Sequence, residues 1–234
     1  MLPKIYNSRM DVDPDYIPEF TDWYKRRHGP DVVSVGMYSA HGYQAVVGSP
    51  WICNFYEIPG VEIFNATYDR TRMADQQLDV IVAEKIFNHS LMIYDQVLTE
   101  GISDSVHDHP TRPSLAGTVI GPAVTTIRFD LPAADRPGLL EWYRTEEFPR
   151  LRDSAGFVRG RVGFEEGKHT VYPGSEPEIM VMLEWGSVAH AMAEGSEDSV
   201  IGRHQSAMGP ELARPSYHVV RHEYSLRHPE AWVA

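Results

Sequence analysis

The amino-acid sequence predicts an α+β fold in which one βαββαβ unit occurs twice in tandem. Three observations carry that reading: a repeated helix motif, the same succession of strand-like runs after each copy, and a proline- and glycine-rich connection between the copies. A chain of 234 residues has room for two units of roughly 100 to 120 residues each.

The helix motif runs from Glu19 through Trp23-Tyr24-Lys25 to His28-Gly29-Pro30, and again from Leu139 through Glu141-Trp142-Tyr143-Arg144 to Glu147-Phe148-Pro149. In each copy a basic residue follows Trp-Tyr, and a proline stands seven positions after the tryptophan. Punctuation precedes both, as Met10-Asp11-Val12-Asp13-Pro14 and Phe129-Asp130-Leu131-Pro132. Prolines near the start and just past the end predict a short helix between strands.

Strand-like runs follow in the same order. Gly36 to Val47 matches Gly156 to Gly167, and Trp51 to Glu57 matches Glu178 to Trp185, both of the latter pair running into acidic residues. A second helical stretch comes next in each copy, then a closing strand, Ser90 to Leu98 and Tyr217 to Leu226. This order is the split βαβ of the ferredoxin-like fold. The expected organisation is a first unit at 1–100, a linker at 101–121 and a second unit at 122–234, paired as a pseudo-dimer around a central, small-molecule-sized cavity.

Composition narrows the partners. The formal net charge is −12, which disfavours nucleic acid and anionic membrane surfaces. Cys53 is the only cysteine, so no internal disulfide forms, and no apolar run is long enough to span a bilayer. The start lacks a signal-peptide core, and a cytoplasmic protein is expected, with a homodimer left open.

Alternation along the strands places polar side chains. Arg159 and Arg161 share a face opposite Val158, Val162 and Phe164, and Arg128 lies opposite Ile127 and Phe129. On the closing strand His218, Val220, His222 and Tyr224 fall on one face. Each sheet covers one face with its own helices, so the other meets the second copy. A face this polar reads either as an inter-repeat ion-pair network or as a pocket for an anionic or phenolic ligand.

The Trp23-Tyr24-…-His28-…-Pro30 pattern resembles the helix ending of the dimeric α/β-barrel superfamily, in particular its EthD-like and polyketide-cyclase-like branch. In the second copy Glu147 stands where His28 stands in the first. The resemblance implies a pseudo-dimeric α/β barrel and a cofactor-free lyase, isomerase, cyclase or decarboxylase acting on small aromatic or polyketide-like compounds.

Candidate catalytic residues are His28, His222, Tyr24 and His218, and candidate substrate-binding residues are Arg128, Arg161, Tyr224, His41 and Trp23. His28 sits one turn after Tyr24 at a helix end, placed for general acid or base work or for helix capping. His107-Asp108-His109 supplies two imidazoles without a third ligand fixed by spacing, so no metal site is expected. The leading reading is cofactor-independent acid–base catalysis. The alternatives are a non-catalytic binder of small hydrophobic compounds and a haem-binding enzyme.

Overall fold

In a computed structural model of the chain, eight antiparallel strands close into a barrel in the order β1-β3-β2-β8-β5-β7-β6-β4. The strands are β1 (Lys4–Val12), β2 (Ser39–Val47), β3 (Ile52–Ile58), β4 (Ile86–Glu100), β5 (Ala123–Asp130), β6 (Phe157–Gly167), β7 (Ile179–Trp185) and β8 (Ala213–Arg227). The structure describes residues 2–64, 67, 69, 71, 84–101, 121–167, 176–209 and 212–227. The interior of the expected linker, the His107-Asp108-His109 run, His169 and most of the second helical stretch of the first half lie outside these.

The two halves are ferredoxin-like sheets that exchange their closing strands, a pseudo-dimer within one chain. The first part of β4 pairs with β1 and its last part with β6, while β8 passes from β5 to β2. Each is 15 residues long, enough to serve both sheets. Leu91 and Ile93 therefore pack in the first half's core, and Val97 and Leu98 against the second's. Tyr217 and Val219 pack in the second core, and Tyr224 and Leu226 against the first.

Helices cover the outer faces. In the first half α1 (Ile17–Trp23) runs through a π-helical turn, Tyr24–His28, into α2 (Gly29–Ser34). In the second half α3 (Arg136–Trp142) runs through the π-helical turn Tyr143–Glu147 into α4 (Phe148–Arg152), followed by α5 (Val188–Ala193) and α6 (Glu197–Met208). The helix thus continues past the prolines expected to end it. Proline lacks an N–H and its ring collides with the carbonyl four residues back. Widening the preceding turn, with the Gly29 and Phe148 N–H groups donating to the Tyr24 and Tyr143 carbonyls, relieves that collision. Both halves use the same device, so it belongs to the repeated unit.

The expected central cavity is replaced by packed side chains. Ile5, Tyr43, Cys53, Phe55, Met92, Tyr94, Val124, Met180, Met182 and Val220 form a third core inside the barrel. Eight strands enclose a lumen just wide enough for side chains to fill it.

At both ends of this core the inward polar residues pair, and at each end at least one ion pair crosses between the halves, Arg161–Glu57 and Arg9–Glu176. Arg161 reaches Glu57 at 3.2 Å and Glu184 at 2.9 Å, and Arg159 reaches Glu184 at 3.1 Å. At the opposite end Arg9 pairs with Glu176, and Arg128 donates to Asn7 Oδ1 at 2.7 Å. These ion pairs dock one half on the other. A mispaired arrangement would leave buried charges uncompensated, which costs several kcal/mol, on the order of 3–5 per broken pair.

Candidate functional site

The expected single face of β8 is broken by a bulge. Tyr43 pairs with His222 and Gly42 with Tyr224, which leaves Glu223 as the extra residue. His218, Val220 and His222 keep the inward side, and Tyr224 turns outward beneath α1. Its ring lies over Gly42, where a Cβ would overlap it. Glycine at that position gives the ring its seat.

Tyr224 forms one wall of a cleft of ≈ 90 Å³ between α1 and strands β2, β3 and β8. Ile17, Phe20, Tyr43 and Ile52 supply apolar lining, and Thr21, Gln44, Asn54 and Glu223 supply polar groups. The Tyr224 hydroxyl donates to Asn54 Oδ1 at 3.2 Å. Burial, reinforced by Tyr24, holds the Tyr224 phenol well above its ordinary pKa, so it stays a protonated donor at neutral pH. Apolar walls with a few convergent polar groups are the usual composition of a small-ligand site.

Rings continue behind that wall. Tyr24 lies 5.8 Å from Tyr224 and 5.3 Å from Phe20, centroid to centroid. His28 meets Tyr24 edge-on at 4.8 Å and stacks on Trp23 at 4.9 Å. The π turn positions this group by bringing His28 back against the Trp23-Tyr24 pair. Lys25 adds its ammonium 5.5 Å from the Tyr224 ring centre.

Two further sequence candidates meet at one hydroxyl. Ser225 Oγ lies 2.8 Å from His41 Nδ1 and 2.7 Å from His222 Nε2. His41 is buried and His222 half-buried, so the serine joins an interior imidazole to one near the surface. Burial lowers the His222 pKa, which keeps the ring neutral and able to accept a proton. Its edge meets the Tyr43 ring at 5.2 Å, and Tyr43 lines the cleft.

The remaining candidates stand on the inner face. Arg128 and Arg161 belong to the two ion-pair clusters. His218 lies between Arg9 and Arg128 and donates from Nε2 to the Ser49 carbonyl. Burial, with both guanidiniums beside it, takes its pKa down to about 3. Sequence reasoning did not find Asn54, Ser225, Phe20, Arg9 or Glu176. One signal was available for Arg9: the spacing from Arg9 to Arg128 equals that from Trp23 to Trp142.

In the second half His204 of α6 packs against the repeated Trp142-Tyr143 pair, its Nδ1 bonded to the Val200 carbonyl at 2.8 Å and its Nε2 accepting from Tyr143 at 2.6 Å. Glu147, the counterpart of His28, is tied to Arg150 at 2.7 Å and Arg203 at 3.5 Å. Among the described residues no group of three His, Cys, Asp or Glu could hold a metal ion, and no helix is long and apolar enough to cross a membrane.

The architecture defines the chain as a pseudo-dimeric ferredoxin-like α/β-barrel protein, and solved structures share it. A structure described as an anthrone oxidase-like protein superposes with a TM-score of 0.66 at 18% identity, over 100% of this chain and 96% of that one. A candidate monooxygenase from Lactobacillus acidophilus NCFM superposes with a TM-score of 0.56 at 8% identity, over 97% of both chains. One from Fusobacterium nucleatum gives 0.56 at 8%, over 97% of this chain and 94% of the other. These likenesses establish the fold. No protein-family profile matches the sequence, and no curated protein matches it.

Proposed function

We propose that the chain is an enzyme that binds a small aromatic or polyketide-like compound in the first-half cleft and moves protons with tyrosine and histidine, without a bound cofactor. The observation that carries this is the Tyr224–Asn54 pair on an aromatic wall beside Phe20. It offers a protonated phenol and an amide to a substrate oxygen while Phe20 and Ile52 take up its ring. The EthD-like reading rests on the motif that ends in His28 and Pro30, whose π turn stacks that histidine on Trp23.

In this reading the Tyr224 hydroxyl gives up its bond to Asn54 Oδ1 and donates its one proton to a substrate carbonyl or hydroxyl, and a neutral imidazole takes up the proton lost from the carbon or oxygen next to it. His222, on the inward side of β8, touches the Tyr43 ring that lines the cleft and shares Ser225 Oγ with His41, so it acts behind the cleft wall and not on the substrate itself. His28 lies behind Tyr24 on the other flank. Removal of such a proton begins isomerase, lyase and cyclase chemistry. It also begins the oxygenation of electron-rich aromatics, the reaction class that the neighbours' names bring to the reading.

The test is turnover of phenolic and anthrone-type compounds by wild type and by the variants Tyr224→Phe, His222→Gln and His28→Gln. The expected result is substrate loss with wild type and a drop of about a hundredfold or more in kcat for at least one histidine variant, the lower end of the ~10²–10⁴ range for general acid–base groups. Turnover unchanged in all three would refute it. Binding without turnover by wild type would favour a sequestering role instead.

A further inference from the structure

Arg9 and Arg128 occupy equivalent places on β1 and β5, and both project into the same end of the barrel. Arg9 is 7% exposed and Arg128 0%. Glu176, 7% exposed, takes the Arg9 guanidinium and a hydrogen bond from Ser90, while its Oε2 stands 4.0 Å from Arg128 Nε, beyond hydrogen-bond range. Arg128 spends its other nitrogens on Thr126 Oγ1 at 2.8 Å and Asn7 Oδ1 at 2.7 Å, both neutral. His218 contributes no negative charge. Asp11, on the same strand, accepts from the Trp51 N–H at 2.9 Å and the Asn88 amide at 2.7 Å.

Among the described residues the cluster therefore holds two permanent cations against one carboxylate. Arg9 Nε and Arg128 Nε are buried without a hydrogen-bond partner among the described residues, as is Arg161 Nε at the opposite end, so it is the charge count that sets the two ends apart. The opposite end of the barrel sets the contrast, since there Arg159 and Arg161 face two carboxylates, Glu57 and Glu184. Among the described residues, buried charge is thus balanced at one end of the barrel and a carboxylate short at the other. Two buried guanidiniums sharing one carboxylate are costly, and that shortfall marks where a counter-ion belongs.

We infer that this end of the barrel is an anion site, in which a small monoanion of carboxylate or halide size sits against Arg9 and Arg128 with Glu176 as the built-in second anion. The site is distinct from the cleft, which lies on the outer face of the sheet. Two guanidiniums favour a planar carboxylate through paired N–H donors, and a halide satisfies the same charge without that geometry.

The experiment follows thermal unfolding at fixed ionic strength, with gluconate replaced stepwise by formate, acetate or bromide, for wild type, Glu176→Gln and Arg128→Gln. Bromide-soaked crystals of wild type and Arg128→Gln locate the ion by anomalous diffraction. The expected result is a saturable rise in Tm for wild type and an apparent affinity about tenfold tighter for Glu176→Gln, which lacks the internal competitor. Arg128→Gln folds, because it leaves Arg9 balanced by Glu176, and it loses both the anion dependence and the bromide peak. Formate or acetate stabilising more than bromide identifies a carboxylate site, and the reverse order a halide site. A wild-type protein with no bromide between the arginines and the same anion response as Arg128→Gln overturns the inference.

Discussion

The Tyr224 hydroxyl donates to Asn54 Oδ1 at 3.2 Å, joining the last strand of the second half to a strand of the first. The cleft is therefore complete only when both halves are docked. Tyr224→Phe removes one neutral hydrogen bond and should cost about 1 kcal/mol of stability. Ligand affinity should fall further, by about fivefold to tenfold, because a bound oxygen loses its donor. Chemical denaturation and calorimetric titration measure the two effects separately.

Gly42 gives the same wall a sharper test. A Cβ there would overlap the Tyr224 ring. Gly42→Ala should destabilise the protein by about 1–3 kcal/mol through overpacking. It should also abolish ligand binding while far-UV circular dichroism stays native. Retained binding would show that the ring position is irrelevant to the cleft.

The arginine at the balanced end of the barrel bears on docking. Arg161→Met leaves Glu57 and one arm of Glu184 without their partner. The expected loss is about 3–5 kcal/mol, measured by urea unfolding. Burial already raises the Glu57 pKa, so part of that loss should be recovered as pH falls and Glu57 protonates. Replacing Arg161 and Glu57 together by Met and Gln should recover much of it at neutral pH.

His218 sets a pH dependence. Its pKa is lowered from 6.5 to about 3, so the unfolded chain takes up a proton that the folded chain refuses across that window. Stability therefore declines as pH drops below 6.5. His204 and His222 are shifted in the same direction by burial, while the lowered carboxyl of Glu176 adds its loss only below 4.5. His218→Gln should flatten the pH profile of unfolding by about one proton, roughly 1.4 kcal/mol per pH unit. Denaturation curves at pH values from about 7 to 5 read the difference.

The repeat was legible because strands and helix motif recur in order, and because alternation places Arg128, Arg159 and Arg161 on the face opposite the helices. Other features were hidden for identifiable reasons. Pro30 and Pro149 look like helix ends, since one-residue widening of a turn leaves no mark in sequence spacing. Tyr224 was assigned to the face of His222 because strict alternation cannot foresee the bulge at Glu223. The lumen is filled by Met92, Met180 and Met182, whose flexible side chains fit irregular space and signal no cavity or its absence. Asn54 and Ser225 acquire meaning only from the pairing of β8 with β2, a contact between ends of the chain.

An absorbance spectrum of the purified protein addresses the haem reading. The expected spectrum carries only the protein's own aromatic absorption. A Soret band would call for an axial ligand to the iron, and His28 and His222 would then be replaced in turn to find it.

Calorimetric titration of a phenolic probe such as 1-naphthol decides whether the first-half cleft is the binding site. Wild type is compared with Asn54→Ala and with Thr145→Ala, a change on the exposed helix surface of the second half. Affinity should weaken about tenfold or more in Asn54→Ala and stay unchanged in Thr145→Ala. Equal affinity in all three proteins would contradict this and place the ligand elsewhere.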